Sequence, residues 1–382
     1  MSQQTKASES LMKTYNRLPL TVEKGMGSYL FDTDGKPYLD FTSGIATCNL
    51  GHQPQAVKQA VTEQLDSLWH CSNLFNIPKQ EELANLLTKN SCFDEAFFCN
   101  SGTEANEAAI KLVRKWSGKE SIVTFTNSFH GRTLGSLSAT AQTKLHEGFG
   151  SMISGFHFLA FNDFESIAKI EELMPAAVMF ELVQGEGGVR PADKEWINEL
   201  IKVCKRNGIL VIVDEVQTGI GRSGTLFAYE QYGFEPDVMT LAKGLGSGFP
   251  IGAMLAKSTV ASTFGPGTHG STFGGNPLAS AAGVETIQQV IDLLPKVQEI
   301  AAYLDRELRG IAISKPSIVE VRGLGLLIGL EVEDAGPFLA KFREKDVLIL
   351  TAGPNVLRIL PPLIVSREEV NQFTTVLKEL LQ

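Results

Sequence analysis

Short apolar segments that end abruptly in polar or glycine-containing residues constrain the fold of this chain more than any other feature. They are Glu95–Cys99, Ser121–Phe125, Ala176–Val183, Ile209–Val213 and Val238–Ala242. Residues 211–213 are all β-branched and lack polar alternation, which is typical of a strand buried on both faces. The intervening segments Thr103–Trp116 and Asp193–Asn207 have the composition of helices. This alternation predicts an α/β fold with a mostly parallel central sheet and helices on both faces.

The two ends of the chain have a different pattern. Gly27–Phe41 contains two short alternating runs around Asp34-Gly35, which predicts a hairpin. The last third predicts helices at Ala281–Leu308 and Pro337–Lys345 and strands at Leu326–Val332 and Val356–Ile359. A glycine- and proline-containing loop at residues 265–267 indicates a boundary. We therefore expect a large domain of residues 45–264 and a smaller α+β domain built from residues 1–44 and 265–382.

The charge balance and the cysteine pattern argue against several classes of protein. The chain has 34 Lys+Arg against 43 Asp+Glu, and a net charge of −9 does not suit a sequence-independent nucleic-acid binder. No apolar run approaches the roughly 18–20 residues that cross a bilayer, and the opening MSQQTKASES lacks the apolar core of a secretory signal. Five cysteines without a C-x-x-C pair and six scattered histidines fit neither a disulfide framework nor a metal site. We expect a cytoplasmic protein without membrane, nucleic-acid or metal partners.

The segment Asn100-Ser101-Gly102-Thr103 follows the first of these strands and opens a helix. In open α/β sheets, ligands bind at the carboxyl ends of the strands. Free N–H groups and the positive end of the helix dipole make such a position suitable for phosphate. Taken alone, the same residues also fit an ordinary capped helix.

Asp214 and Lys243 each follow an apolar strand at the same predicted edge of the sheet. A buried carboxylate needs a cation, and a sheltered lysine can act as a nucleophile or form a Schiff base. As isolated residues they equally fit a simple salt bridge. Together with the phosphate site they meet the needs of pyridoxal 5′-phosphate (PLP), which requires N–H donors, an anion and an amine. Phe129 can supply an aromatic face, although one of 22 phenylalanines is by default a core residue.

Six motifs occur in the order in which class III aminotransferases carry them. They are NSGTEANEAAIK, FHGRT, QGEGG, DEVQTGIGRSG, LAKGLGSGFPIGA and HGSTFGGNPLA. The chain resembles this family along nearly its whole length, from DTDGKPYLDFTSGIA to LRILPPL. Within the family, the segment SNLF at residues 72–75 is similar to the branch that acts on N2-acetylornithine rather than to the branch that acts on 4-aminobutyrate.

This resemblance implies a PLP-dependent transferase of fold type I. By matching of the motifs, Lys243 holds PLP as a Schiff base, and Asp214 pairs with the ring nitrogen. Gln217 is then expected to hydrogen-bond the ring hydroxyl, and Phe129 is expected to stack on the ring.

The resemblance also implies how the phosphate is held. Ser101, Gly102 and Thr103 form the phosphate site, and Thr272 reaches the phosphate of the neighbouring subunit's cofactor. A homodimer is therefore implied. Ser271, next to Thr272 in the HGST motif, is expected to contact the substrate.

Two arginines suit the substrate glutamate, because a guanidinium group binds a carboxylate in a bidentate manner. We expect Arg132 to bind the distal carboxylate of either substrate and Arg358 to bind the α-carboxylate of glutamate. Glu186 would neutralise Arg358 while a terminal-amine donor is bound. The alternatives are a surface carboxylate for Glu186 and a packing or interdomain ion pair for Arg358.

The expected reaction is a ping-pong transfer of the terminal amino group of N2-acetyl-L-ornithine to 2-oxoglutarate. The products are N-acetyl-L-glutamate 5-semialdehyde and L-glutamate, and the resemblance implies a role in arginine biosynthesis. Ornithine, succinylornithine and 4-aminobutyrate stay open as amino donors, since only pocket walls distinguish them. A nicotinamide-dependent oxidoreductase is a distant alternative, because Gly323-Leu324-Gly325 lacks the G-x-G-x-x-G spacing and a following helix pattern.

Overall fold

A computed structural model describes residues 10–381 of the chain. The expectation about a secretory signal concerns residues 1–10, nearly all of which lie outside the described part. The strands are β1 (Val22–Met26), β2 (Tyr29–Asp32), β3 (Pro37–Asp40), β4 (Glu95–Cys99), β5 (Ile122–Phe125), β6 (Phe156–Leu159), β7 (Ala177–Phe180), β8 (Val183–Gln184), β9 (Arg190–Pro191), β10 (Leu210–Asp214), β11 (Val238–Leu241), β12 (Gly252–Ala256), β13 (Glu320–Leu324), β14 (Leu327–Glu331), β15 (Val347–Leu348), β16 (Leu350–Thr351) and β17 (Val356–Ile359). The helices are α1 (Ser43–Ala46), α2 (Gln55–Leu65), α3 (Pro78–Lys89), α4 (Gly102–Ser117), α5 (Leu134–Ala139), α6 (Phe164–Leu173), α7 (Lys194–Asn207), α8 (Ser258–Ala261), α9 (Pro277–Ser314), α10 (Gly336–Glu344) and α11 (Arg367–Leu380).

The central element is a seven-stranded sheet with the order β4-β12-β11-β10-β7-β5-β6. The neighbours β11, β10, β7, β5 and β6 run parallel, whereas β12 is antiparallel to both β11 and β4. Strands β5, β7, β10, β11 and β12 are buried at every position. The predicted α/β fold with a mostly parallel sheet is confirmed, and the apolar composition of the strands follows from burial on both faces.

Pairing in register brings the strand ends together at one edge. Asp214, the last residue of β10, is paired with Thr240 of β11, and Lys243 follows only three residues later. The carboxyl ends of β4, β5 and β7 open at the same edge because these strands run in the same direction as β10. This edge is where the polar strand-end residues meet.

Two smaller four-stranded sheets lie outside the central one, with orders β1-β2-β3-β15 and β13-β14-β17-β16. The predicted hairpin is present, since β2 and β3 are antiparallel neighbours. Strand β15 pairs in parallel with β3, with Val347 opposite Leu39. Residues from both ends of the chain therefore share one sheet, which supports the small domain that we propose; the boundaries at residues 44 and 264 stay a prediction.

Some element bounds differ from those predicted. The predicted apolar strand Ala176–Val183 ends at Phe180, so Glu181 and not Gln184 is the first polar residue beyond it. The predicted helix Ala281–Leu308 is longer and spans Pro277–Ser314, because Asn276 caps it by accepting a hydrogen bond from the Ala279 amide at 2.9 Å. Within residues 10–381, no helix has the length and apolar character needed to span a bilayer.

Candidate functional site

A cavity of about 400 Å³ lies at the carboxyl ends of β4, β5, β7, β10 and β11. This volume falls within the usual range of small-molecule sites. The structure places these sequence-predicted residues in its wall: Ser101, Gly102, Thr103, Phe129, Arg132, Glu186, Asp214, Gln217 and Lys243. Strand-end position alone therefore brings most of the candidate site together.

The N-terminus of α4 forms one end of the cavity. Ser101 caps the helix, and its hydroxyl accepts a hydrogen bond from the Glu104 amide at 3.3 Å. The amides of Gly102 and Thr103 belong to the first turn, which has no intrahelical acceptors. A Cβ atom on Gly102 would lie 2.7 Å from the Val216 side chain, so the close approach requires glycine. Free amides, a hydroxyl and the helix dipole give this end the chemistry of an anion site.

Asp214 is held at the base of the cavity by three donors and is only 3% exposed. Its Oδ2 lies 2.8 Å from both Asn106 Nδ2 and His130 Nδ1, and its Oδ1 accepts a hydrogen bond from the Val216 amide at 3.0 Å. Asn106 also donates to the His130 carbonyl at 2.7 Å, which ties the two partners together. A carboxylate with so many donors is fixed in orientation, as a partner for a protonated ring nitrogen must be.

Lys243 lies beside Asp214 in the wall of the cavity, directly after β11 and Ala242. Burial is the main cause that lowers its pKa, and the nearby positive charge of Arg358 adds to it, whereas Glu186 and Asp214 oppose it. A lowered pKa raises the fraction of neutral amine, which is the form that attacks a carbonyl carbon. Lys243 also has a φ of 43°, a left-handed conformation that is uncommon outside glycine and is found at functional sites.

Two further predicted residues face the same space. The Gln217 Oε1 atom is buried and has no hydrogen-bond partner among the described residues. A Cβ atom on Gly185 would lie 1.9 Å from this oxygen, so Gln217 lies directly against the loop that carries Glu186. The Phe129 ring is half-buried, and the Arg132 guanidinium lies 5.5 Å from its centroid. An aromatic face and an unused acceptor are therefore both available in the wall.

Arg358 and Glu186 form an ion pair in which the arginine is buried and the glutamate is partly exposed. Arg358 is in β17 and only 3% exposed, and it also donates to the Gly185 carbonyl at 3.0 Å. Although burial opposes ionisation, Arg358 holds the pKa of Glu186 below its usual range. Glu186 lines the cavity and Arg358 lies behind it, so the carboxylate covers the guanidinium on the cavity side.

Ser271 and Thr272 lie in a second cavity of about 340 Å³ rather than in the first. Asn100 lines both cavities, and its Nδ2 donates to the Ser271 hydroxyl at 3.2 Å. Thr272 is exposed on the surface of the chain. The structure of one chain therefore separates these two residues from Lys243, and their roles stay predictions.

Three residues of the site escaped the sequence analysis: Asn106, His130 and Glu181. Asn106 and His130 hold Asp214, but they come from α4 and the loop after β5, so only the tertiary structure brings them to it. Glu181 directly follows β7, just as Asp214 follows the predicted apolar segment Ile209–Val213. The signal was present, but extending the apolar segment to Val183 concealed it.

The residues present fit PLP. The amides at the start of α4 match its phosphate, the oriented Asp214 carboxylate matches a protonated ring nitrogen, and the unpartnered Gln217 Oε1 matches a ring hydroxyl donor. The Lys243 amine matches an aldehyde. Each demand of the group therefore meets a side chain or amide of complementary chemistry in one cavity.

Comparisons with known proteins point in the same direction. A sequence model described as Aminotransferase class-III matches residues 11–381. The acetylornithine aminotransferase of Oceanobacillus iheyensis is 52% identical over 99% of this chain and 97% of that protein. An N-acetylornithine aminotransferase structure from Stenotrophomonas maltophilia covers 94% of both chains, with 37% identity and a TM-score of 0.81. An ornithine aminotransferase from Toxoplasma gondii, described with partial occupancy of PLP at its active site, has a TM-score of 0.94 and 30% identity over 98% of this chain and 92% of that chain.

Proposed function

We propose that this chain, which belongs to the class III aminotransferase family, transfers the terminal amino group of N2-acetyl-L-ornithine to 2-oxoglutarate. The products are N-acetyl-L-glutamate 5-semialdehyde and L-glutamate. The amino donor is supported by two relatives named acetylornithine aminotransferase, which are 52% identical and match nearly the full length of the chain. The geometry that supports the chemistry best is the placing of Lys243, Asp214 and the start of α4 in one cavity.

The cofactor of this family is PLP, which supplies, when bound, an electron-accepting ring that stabilises negative charge on the reacting carbon. We assign Lys243 as its covalent anchor and Asp214 as the partner of its ring nitrogen. Ser101, Gly102 and Thr103 would hold the phosphate. Phe129 and Gln217 would contact the ring and its hydroxyl.

The two arginines account for two unlike substrates in one pocket. Arg132, which is exposed at the cavity wall, would bind the distal carboxylate of either substrate. Arg358 would bind the α-carboxylate of glutamate after Glu186 releases it. When N2-acetylornithine is bound there is no such carboxylate, and Glu186 keeps the buried guanidinium neutralised.

Lys243 has a second role as the group that moves protons. Within one half-reaction its Nζ atom would take the proton from the carbon that bears the transferred amine and deliver a proton to the former aldehyde carbon of the cofactor, and the reverse half-reaction would move the proton in the opposite direction. Because each substrate reacts and leaves before the next one binds, ping-pong kinetics are expected. A role in arginine biosynthesis goes with this activity.

Ornithine is the second candidate donor, because an ornithine aminotransferase shares this fold with a TM-score of 0.94 at 30% identity. We also propose a homodimer in which Thr272 completes the neighbouring site, which its exposed position allows. A cytoplasmic location is supported by the five cysteines, all of which are free thiols.

The test is an absorption spectrum of the purified protein before and after each amino donor is added. PLP bound to Lys243 should absorb in the visible, and the band should fade with N2-acetylornithine and much less with ornithine or 4-aminobutyrate. Lys243→Ala should bind PLP without forming this band. A band that responds best to ornithine would leave the chemistry standing and refute the donor. A wild-type protein without the band after addition of PLP would refute the proposal about Lys243.

A further inference from the structure

Glu181 is a buried carboxylate that has no role in the proposed reaction, although it lines the cavity. Its Oε1 accepts a hydrogen bond from the Phe129 amide at 2.9 Å, and its Oε2 accepts one from the Gly185 amide at 3.3 Å. The two amides belong to different loops, one after β5 and one after β8. A single side chain therefore joins the two loops at the cavity wall.

The contacts continue from Glu181 to both arginines. On one side, the Phe129 ring lies 5.5 Å from the Arg132 guanidinium. On the other side, the carbonyl of Gly185 accepts a hydrogen bond from Arg358 at 3.0 Å. Glu181 is thus at the centre of a continuous series of contacts between the two groups that would bind the carboxylates of glutamate.

Other contacts hold the same loops farther from the arginines. Gln184 donates to the Thr126 carbonyl at 3.0 Å, and a Cβ atom on Gly187 would lie 2.6 Å from the Asn127 carbonyl. These contacts are neutral and keep the loops adjacent. They do not reach the Phe129 and Gly185 amides, which bond to Glu181.

We propose that Glu181 is a positioning residue that fixes the distance between Arg132 and Arg358 and so sets the length of dicarboxylate that the site accepts. This inference rests on the proposed function, because it takes both arginines as carboxylate sites. A five-carbon dicarboxylate such as glutamate or 2-oxoglutarate must meet both guanidinium groups at once. A terminal-amine donor meets only one of them, so its binding depends less on their separation.

The charge of Glu181 is part of the argument. Burial, followed by the negative charge of Asp214, raises the pKa of Glu181 to about 7, while His130, the Phe129 amide and Lys243 favour the ionised form. An ionised carboxylate offers an acceptor to each amide. A neutral glutamine of the same shape has only one oxygen, so at least one of the two loops loses its acceptor.

Kinetics of Glu181→Gln against a matched control, Thr140→Val, test the proposal. Thr140 accepts a hydrogen bond from the His130 amide at 2.9 Å, so its loss loosens the same loop as Phe129 without contacting Gly185. For Glu181→Gln we expect kcat/KM for glutamate to fall about tenfold, chiefly through KM, and kcat/KM for N2-acetylornithine to change less than about threefold. The ratio of kcat/KM for glutamate to kcat/KM for the shorter aspartate should decrease. Thr140→Val should change kcat/KM for glutamate and for N2-acetylornithine by the same factor. Equal losses for all donors in Glu181→Gln would overturn the proposal.

Two further measurements do not require activity or bound cofactor. In cofactor-free protein, Glu181→Gln should speed amide hydrogen exchange about tenfold at Phe129, at Gly185 or at both. In the wild type, NMR resonances of these two amides should titrate with one common midpoint, because they share an acceptor. The charged groups around them are His130, Asp214, Lys243, Glu186, Arg358 and Arg132. Unchanged exchange in the folded variant would refute the bridge, and two separate midpoints in the wild type would refute it even if the variant failed to fold.

These measurements also separate the two proposals. A wild-type protein that transaminates none of the donors would refute the proposed function, while exchange and titration would still decide whether Glu181 joins the loops. If the wild type is active and Glu181→Gln has the same donor specificity as the wild type, only the positioning role is refuted.

Discussion

Replacing Glu186 with glutamine tests the gate at Arg358 directly. The substitution keeps the shape of the side chain and removes the charge that neutralises a guanidinium only 3% exposed. The free enzyme loses its ion pair, and Arg358 keeps only neutral acceptors, the Gly185 carbonyl at 3.0 Å and the amide oxygen introduced at position 186. The two amino donors then differ, because only glutamate brings a carboxylate to replace the lost one.

The size of the effect follows from burial. Removing one partner of a fully buried ion pair costs about 3–5 kcal/mol, but the Glu186 side chain is 31% exposed, so part of that cost is relieved by solvent. We take about 2 kcal/mol for the change in relative transition-state energies of the two donors. It combines a penalty for N2-acetylornithine, whose apolar stem desolvates an unpaired guanidinium, with a gain for glutamate, which no longer has to displace Glu186. At 1.4 kcal/mol per tenfold change, the ratio of kcat/KM values should shift about 30-fold towards glutamate.

The assay is the rate of each half-reaction, followed by cofactor absorbance at a series of donor concentrations. Glu320→Gln is the matched control, because it removes a carboxylate from another buried arginine, Arg322, which keeps Glu331 as a partner. The control should leave the donor ratio unchanged. A ratio that moves less than about threefold in Glu186→Gln, or equally in both variants, would refute the gate.

Two other predictions concern stability and cofactor affinity. Burial opposes a charge on His52, but hydrogen bonds to Asp40 and Cys48 outweigh it and raise its pKa from 6.5 to about 9. Because the folded pKa is above the unfolded one, this contribution is fully present below about pH 6.5 and is lost as the pH rises through about 9. Between pH 6 and 9.5, the free energy of unfolding of the wild type, measured with urea, should therefore fall by about 1–2 kcal/mol more than that of His52→Gln, after allowance for partial exposure. Parallel pH profiles of the two proteins would contradict this. Asn106→Leu removes one donor from Asp214 and should weaken PLP binding to cofactor-free protein about tenfold in a fluorescence titration, whereas unchanged affinity would show that Asp214 does not need this donor.

Local sequence was sufficient to predict the elements that carry the site. Strand β4 has the predicted bounds, Glu95–Cys99. Helix α4 extends one residue beyond the prediction at each end, and α7 begins one residue later than predicted. The reason is that apolar runs and helix periodicity are local properties. Because parallel strands end at one edge, the same runs were sufficient to place Ser101, Asp214 and Lys243 near each other.

Contacts between distant segments could not be predicted in this way. The pairing of Arg358 with Glu186 was predicted from the needs of the two substrates and from the resemblance and not from a local pattern, since 172 positions separate the two residues. The bonds of Asp214 to Asn106 and His130, and those of Glu181 to two loop amides, had no local pattern to reveal them.

The sequence by itself determined the fold class and the chemical types at the strand ends, because burial and backbone propensity act over a few residues. Only the tertiary structure decided which carboxylate faces which cation and amide. Glu186 covers Arg358, Asp214 is oriented by Asn106 and His130, and Glu181 joins two loops. These pairings depend on directions and distances of a few ångströms between elements far apart in the chain, and the energy of a buried charge depends on them most strongly.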